Sequence, residues 1–192
     1  FRAAQGRRAA DRPDVLFGLK DVISAIPRTR YSPTMRQVAM IVFEGVNALD
    51  VAGPLEAFAA VRDENDAQAY GARCWSLDGK VVTAESGLQI CGDPLPKRAP
   101  RCDLLIVPGG AGLREQGRAE RVARWLKSNH AQFRRVASVC TGAFALAESG
   151  LWDGRQATTH WRFARELARR YPRVRVQPDA LFLNDGKYFS SG

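Results

Sequence analysis

No run of eighteen apolar residues occurs in this chain, so no segment reads as a membrane-spanning helix. The first residues also lack the continuous apolar stretch and small-residue cleavage site of a secretory signal. Histidine is scarce, with two in 192 residues. The four cysteines, Cys74, Cys91, Cys102 and Cys140, form no C-x-x-C pair, which argues against both a zinc site and a disulfide framework. No metal and no cofactor is therefore expected, and a reducing cytoplasm is the expected compartment. Length excludes two full-sized domains but suffices for one with a substantial core.

Acidic residues are outnumbered, 20 against 29 Lys and Arg, for a net charge of +9. Residues 1–34 hold seven Lys/Arg and three Asp, which is +4 of that total. They are Arg- and Ala-rich and punctuated by Pro13, Pro27 and Pro33; they read as an appended basic extension, expected to be poorly ordered, with the domain beginning near Met35. A second cluster comprises Arg162, Arg165, Arg169, Arg170, Arg173 and Arg175. At helical spacing Arg162, Arg165 and Arg169 share one side, while Phe163, Leu167 and Tyr171 recur on another. That is most simply a solvated helix face, with a nucleic-acid patch as the alternative.

Val38–Phe43 is a continuous apolar run of the kind found in a parallel strand covered on both faces. A loop is expected over Glu44–Gly53, with Pro54 opening a helix. Strands are expected at Ala72–Leu77 and Val81–Ala84, joined as a hairpin by Asp78-Gly79, with Leu88–Cys91 as a possible extension. Leu104–Val107 reads as a buried strand closed by Pro108-Gly109-Gly110, Arg118–Asn129 as a helix and Arg135–Val139 as the next strand. Thr159 is expected to cap a helix from His160 to about Tyr171, ended by Pro172. Strands complete the chain at Val174–Val176, Ala180–Leu183 and Lys187–Ser190. The alternation implies an α/β three-layer sandwich with a mostly parallel sheet, whose ligands bind beyond the carboxyl ends of the strands.

Cys140 stands where the strand ending at Val139 turns into the helix-like run Thr141–Ser149. Such a turn lifts the side chain clear of the sheet and aims helix N–H groups at it, so Cys140 reads as an exposed nucleophile whose thiol loses its proton early. The plainer alternative is an inert buried cysteine. Asp50 follows the first strand and is brought by topology to the same edge, where a carboxylate can share a proton with the thiol; otherwise it caps the following helix. Thr141 can offer its hydroxyl and N–H to the same pocket, and Gly110 a second N–H, although Thr141 is equally the first residue of a helix. His160 is placed to approach the thiol. Gly109-Gly110-Ala111-Gly112 is a weak phosphate-cradle signal, since no Lys-Ser/Thr follows. Trp152, Trp161 and Phe144 are candidates for lining the pocket or for core packing.

Four segments together, VFEGVNALDVAGPLEAF (42–58), DLLIVPGG (103–110), SVCTGAFALAESGLWDGRQATTHW (138–161) and PDALFLNDGKYFSSG (178–192), resemble the ThiJ/PfpI group of the class I glutamine-amidotransferase-like superfamily. The resemblance covers about residues 36–192 and implies a flavodoxin-like fold. Within that group the last two segments look most like the amidase-like N-terminal domains of AraC-type transcriptional regulators. This implies a non-catalytic, ligand-sensing and dimerising domain over residues 35–192, truncated at its C-terminus, that binds an unidentified small molecule. It also implies a homodimer that meets DNA only through a helix-turn-helix domain beyond Gly192. Thr141 stands where PfpI-type proteases carry a histidine, which argues against protease activity. The Asp50, Cys140 and Thr141 set is similar to that of isonitrile hydratases, so a Cys-dependent hydratase or amide hydrolase is the alternative.

Overall fold

The computed structural model describes residues 35–115 and 117–192; the expectation for residues 1–34 falls outside them. Its frame is a seven-stranded sheet in the order β10-β11-β7-β6-β1-β2-β5. The central strands are β1 (Arg36–Val42), β6 (Cys102–Val107) and β7 (Phe133–Val139), flanked by β2 (Tyr70–Ser76) and the two-residue β5 (Asp93–Pro94). All of these run parallel. On the far side, β11 (Tyr188–Ser191) is parallel to β7 and antiparallel to the edge strand β10 (Phe182–Asp185). Val38, Ala39, Met40, Ile41 and Val42 are all fully buried. Consecutive strand residues point to opposite faces, so the sheet is covered on both sides, as the unbroken apolar run predicts.

Helix α1 (Ala48–Ala59) follows β1, α2 (Arg118–Asn129) lies between β6 and β7, and the short α3 (Ala143–Glu148) and α4 (Ala164–Arg170) follow β7. The α2 bounds match the apolar spacing, with Ala119, Val122, Ala123 and Leu126 on its buried stripe. Asn129 closes this layer: its side-chain oxygen accepts from Ala99 N at 2.7 Å and its amide donates to Trp125 O at 3.0 Å.

Three local expectations are overturned. Helix α1 begins at Ala48 rather than Pro54, because the Asn47 side chain accepts hydrogen bonds from Leu49 N at 3.0 Å and Asp50 N at 3.3 Å. An Asn cap of this kind outweighs the preference of proline for a first turn. The Asp78-Gly79 turn does not close a hairpin between β2 and the next strand: β3 (Val81–Thr83) pairs antiparallel with β4 (Gln89–Cys91), while β2 is taken by β1 and β5. Asp78 instead ties this corner to α2, accepting from Arg118 Nε at 3.2 Å and Arg121 at 2.6 Å. Finally, the turn before α4 is capped by His160, whose Nδ1 accepts from Arg162 N at 3.2 Å. Thr159 is turned the other way, towards Cys140.

Gly53 lies inside α1 and, apart from its chain neighbours and the backbone of its own helix, nothing stands within 4 Å of where a side chain would begin. Gly53→Ala is therefore expected to change stability by less than about 1 kcal/mol, the gain from reduced unfolded-state entropy being offset by the crowding of its Cβ against the ring of Pro54 that follows. The midpoint of a urea titration checks this, and a loss beyond about 1 kcal/mol would contradict the open surroundings.

Candidate functional site

Strands β1, β6 and β7 end together at their carboxyl edge, and the segments that leave them build one pocket. Chain entering the turn after β7 is forced through an unusual conformation at Cys140, with φ +53, one of two non-glycine residues with positive φ among those described. That left-handed backbone is costly for a residue with a Cβ, and it marks the strand-to-helix elbow read from the sequence. A turn of 3-10 helix over Cys140–Gly142 then leads into α3. The elbow is held from below by Thr159, buried, whose Oγ1 donates to the Cys140 carbonyl at 2.8 Å. Thr159→Val keeps the shape and removes the donor; it is expected to cost about 1–2 kcal/mol, read as a lower thermal unfolding midpoint, and no change would mean that this carbonyl has another partner.

Asp50 sits in the first turn of α1 rather than on a loop. Its Oδ2 accepts from Gly109 N at 3.0 Å, and its carboxylate faces the Cys140 thiol as a hydrogen-bond partner. The structure brings the two residues together, but the expected ionisation is reversed. Burial, and then the Asp50 charge, push the Cys140 thiol up to about 11, against a smaller opposing pull from the Thr141 N–H and hydroxyl. Asp50 is raised from the ordinary carboxylate range, again chiefly by burial, with the Gly109 N–H and the thiol acting the other way and the Glu85 charge adding to the rise. An early-ionising thiol needs a nearby cation or free helix N–H groups; here partial burial and a carboxylate win.

Thr141 is buried and adjoins the sulfur, but its hydroxyl is engaged: Oγ1 accepts from Gly110 N at 2.9 Å and lies 3.4 Å from Gly110 O. This removes Gly110 as an oxyanion donor. The remaining N–H groups of the turn after β6 are committed as well, Gly109 to Asp50, Ala111 to the Glu85 carboxylate and Gly112 to Gly45 O at 3.1 Å. The weak phosphate-cradle signal is thereby explained away, since the glycines serve close packing. A Cβ on Gly109 would stand 2.7 Å from both Asp50 Oδ2 and Thr141 N.

The pocket has a volume of about 220 Å³, and Cys140, Thr141, Gly110 and His160 all line it, as expected. His160 commits Nδ1 to its own turn, leaving Nε2 as the atom that can address a ligand. Sequence reasoning missed Glu85, Arg114 and Asn47, which also line the pocket. Glu85 arrives on the β3–β4 hairpin, whose placement rests on Glu85 N donating to Val46 O and Gly45 N to Thr83 O. No sequence signal marks a surface glutamate delivered in this way. Of the three aromatic candidates, Trp152 and Phe144 belong to the core and Trp161 is 75% exposed; the aromatic ring in the pocket is that of Phe163, with the Arg114 guanidinium 4.3 Å above its centroid.

The profile of the DJ-1/PfpI family matches residues 36–188. The chain belongs to the DJ-1/PfpI family. Among curated relatives, the HTH-type transcriptional regulator GbdR of Pseudomonas aeruginosa is 30% identical over 157 residues, covering 82% of this chain and 42% of that protein. Isonitrile hydratase of Pseudomonas putida is 35% identical over 127 residues, covering 66% of this chain and 53% of the enzyme. In structure, the chain resembles an AraC family transcriptional regulator from Pseudomonas putida with a TM-score of 0.65 and 26% identity, covering 81% of this chain and 83% of that one. The flavodoxin-like α/β fold of this family is thus the one seen here. The chain spans less than half the length of the regulator GbdR and about half that of the hydratase. No helix among the described residues is long and apolar enough to cross a membrane.

Proposed function

We propose that this chain is the ligand-sensing domain of an AraC-type transcriptional regulator, and that the pocket at Cys140 binds a small molecule without turning it over. The observation that carries this reading is the state of the elbow: a thiol held protonated beside Asp50, with the Gly109–Gly112 N–H groups all spent inside the scaffold. Acyl-type chemistry needs a thiolate and free donors aimed at the developing charge. Binding needs neither. The similarity to regulators supports the same reading. It includes the homodimer that the resemblance implied, which sedimentation would test. Residues 35–192 are the proposed domain, and the proposed DNA-reading half lies beyond Gly192. The test is the reading frame past that residue: two helix-turn-helix units are expected, and a stop after one more helix would overturn the proposal.

The Asp50–Cys140 pair favours a second reading, an isonitrile hydratase-like activity, because a shared proton can serve an uncharged substrate. The sulfur would bond to the terminal isonitrile carbon as the thiol proton, relayed by Asp50, moves to that carbon. Water would then add there, the carbon–sulfur bond would break, the sulfur would regain a proton, and the N-substituted formamide would leave. Formamide release from a simple alkyl isonitrile, abolished in Cys140→Ser, would establish this reading; turnover that survives Cys140→Ser would remove it.

A further inference from the structure

Charge in residues 35–192 is distributed very unevenly. The stretch from Arg162 to Arg175 holds six arginines and one acid, Glu166, a net +5. The rest of residues 35–192 holds sixteen Lys/Arg and sixteen Asp/Glu, so this stretch carries the whole excess of residues 35–192. The fold concentrates it further. In α4 and the turn before it, Ala164 and Leu167 are buried, with Phe163 and Tyr171 half-buried beside them. At 100° per residue, Arg165 and Arg169 lie about 40° apart on the opposite side of α4, and Arg162 sits in the 3-10 turn that leads into it. All three are exposed. No described carboxylate lies within 4.0 Å of their guanidinium groups. The nearby acids are used by other arginines, Glu166 by Arg170 at 3.5 Å and Asp153 by Arg173 at 2.9 Å. Arg170 is turned back over the Phe144 and Tyr171 rings, so it does not belong to the outward row.

We propose that this arginine face is a contact surface for the phosphate backbone of duplex DNA, made by this chain itself and independent of base sequence. Three unpaired guanidinium groups along α4 and the turn before it, with no opposing acid, complement a line of phosphates. Arginine is suited to this because its planar fork binds phosphate oxygens two at a time. Trp161, exposed and stacked on His160, stands at one end of the row, but no aromatic residue falls between Arg165 and Arg169, which fits an intact duplex rather than an unstacked single strand. The proposal rests on the regulator reading only in the choice of DNA as the polyanion. Arg162 lies both in this row and in the pocket lining, so the test leaves it intact.

The experiment is fluorescence anisotropy of a random-sequence duplex titrated with the full chain at about 50 to 200 mM salt. Binding in the range of about 10⁻⁴–10⁻⁶ M, weakening steeply with salt, is expected. The double variant Arg165→Gln/Arg169→Gln keeps helix propensity. It is expected to weaken binding about tenfold at the lower salt and to reduce the log–log salt slope by about 2. Arg134→Gln/Arg135→Gln removes the same charge from exposed positions on β7 and is expected to leave both quantities unchanged. Equal loss in the two variants would assign binding to diffuse charge and overturn the proposal. An unaffected Arg165/Arg169 variant would overturn it by placing the contact elsewhere, as would absence of binding at low salt. Tighter binding to phosphatidylserine vesicles than to duplex, lost in the same variant, would replace DNA by a membrane surface. None of these outcomes depends on the ligand of the pocket or on the reading frame beyond Gly192, so this proposal can fail while the sensor reading stands, and the reverse.

Discussion

Gly142→Ala is expected to prevent residues 36–192 from folding, or to cost more than about 4 kcal/mol if some native protein survives. A Cβ built at Gly142 stands 2.0 Å from Val107 O and 2.8 Å from the Val107 carbonyl carbon. Both belong to the backbone of β6, the neighbour of β7 in the sheet, so no side-chain rotation relieves the contact. The residue also belongs to the turn that sets Cys140, and there is no open space on either side: Ala143, Phe144, Ala145 and Leu146 behind it are all fully buried. Overpacking against a rigid strand is among the few mechanisms that produce so large an effect from one methyl group. Far-UV circular dichroism and a urea titration of the purified variant would decide it. Stability within about 1 kcal/mol of the parent would mean that β6 and the elbow separate easily, and that the site is not a close-packed scaffold. Gly53→Ala is the counterpart, the same chemical change at an open helical position.

Alkylation of Cys140 by iodoacetamide is expected to be slower than that of an ordinary peptide thiol by about a hundredfold at pH 7, and to climb until the pH approaches 11. A thiol raised to about 11 is ionised at pH 7 to only about one part in ten thousand, against a few per cent for an unperturbed one near 8.5. The greater intrinsic nucleophilicity of the more basic thiolate offsets part of that difference. Asp50→Asn keeps an acceptor for Gly109 N and removes the charge, so the midpoint is expected to fall by about one unit, a tenfold faster reaction at pH 8. It is not expected to fall to the ordinary value, because burial is the larger cause and asparagine leaves that in place. Mass spectrometry of the Cys140 peptide against pH gives both curves. A midpoint below 8.5 in the parent would show that the helix N-terminus dominates after all and would return the chain to the nucleophilic enzymes. The same shift sets the sign of a stability change. A thiol with its pKa raised by folding contributes stability that is fully present below the unfolded value and is lost as pH rises through about 11. Cys74, raised by burial to about 11, acts in the same direction, so the unfolding midpoint should decline between about pH 8.5 and 11.

Much of this molecule is written in local pattern. The unbroken apolar run of β1, the stripe of α2 and the strand-to-helix join at Cys140 each follow from the spacing of apolar residues along a short segment, because strand and helix periods are properties of the backbone alone. The parallel sheet follows from their alternation, and with it the gathering of Asp50, Gly110, Cys140 and His160 at one edge. Packing decided what pattern leaves open. Asn47 rather than Pro54 begins α1, and β4 rather than β2 takes β3, because caps and strand pairings are settled by which partners the tertiary fold brings within reach. Glu85 and Arg114 enter the pocket from segments whose own sequence marks nothing. The ionisation of Cys140 was the furthest from sequence, since desolvation and the distance to one carboxylate exist only once the chain is folded. The arginines of α4 belong to both: their number is in the sequence, but that they stand unpaired on one outward face is a matter of which acids the fold has already engaged.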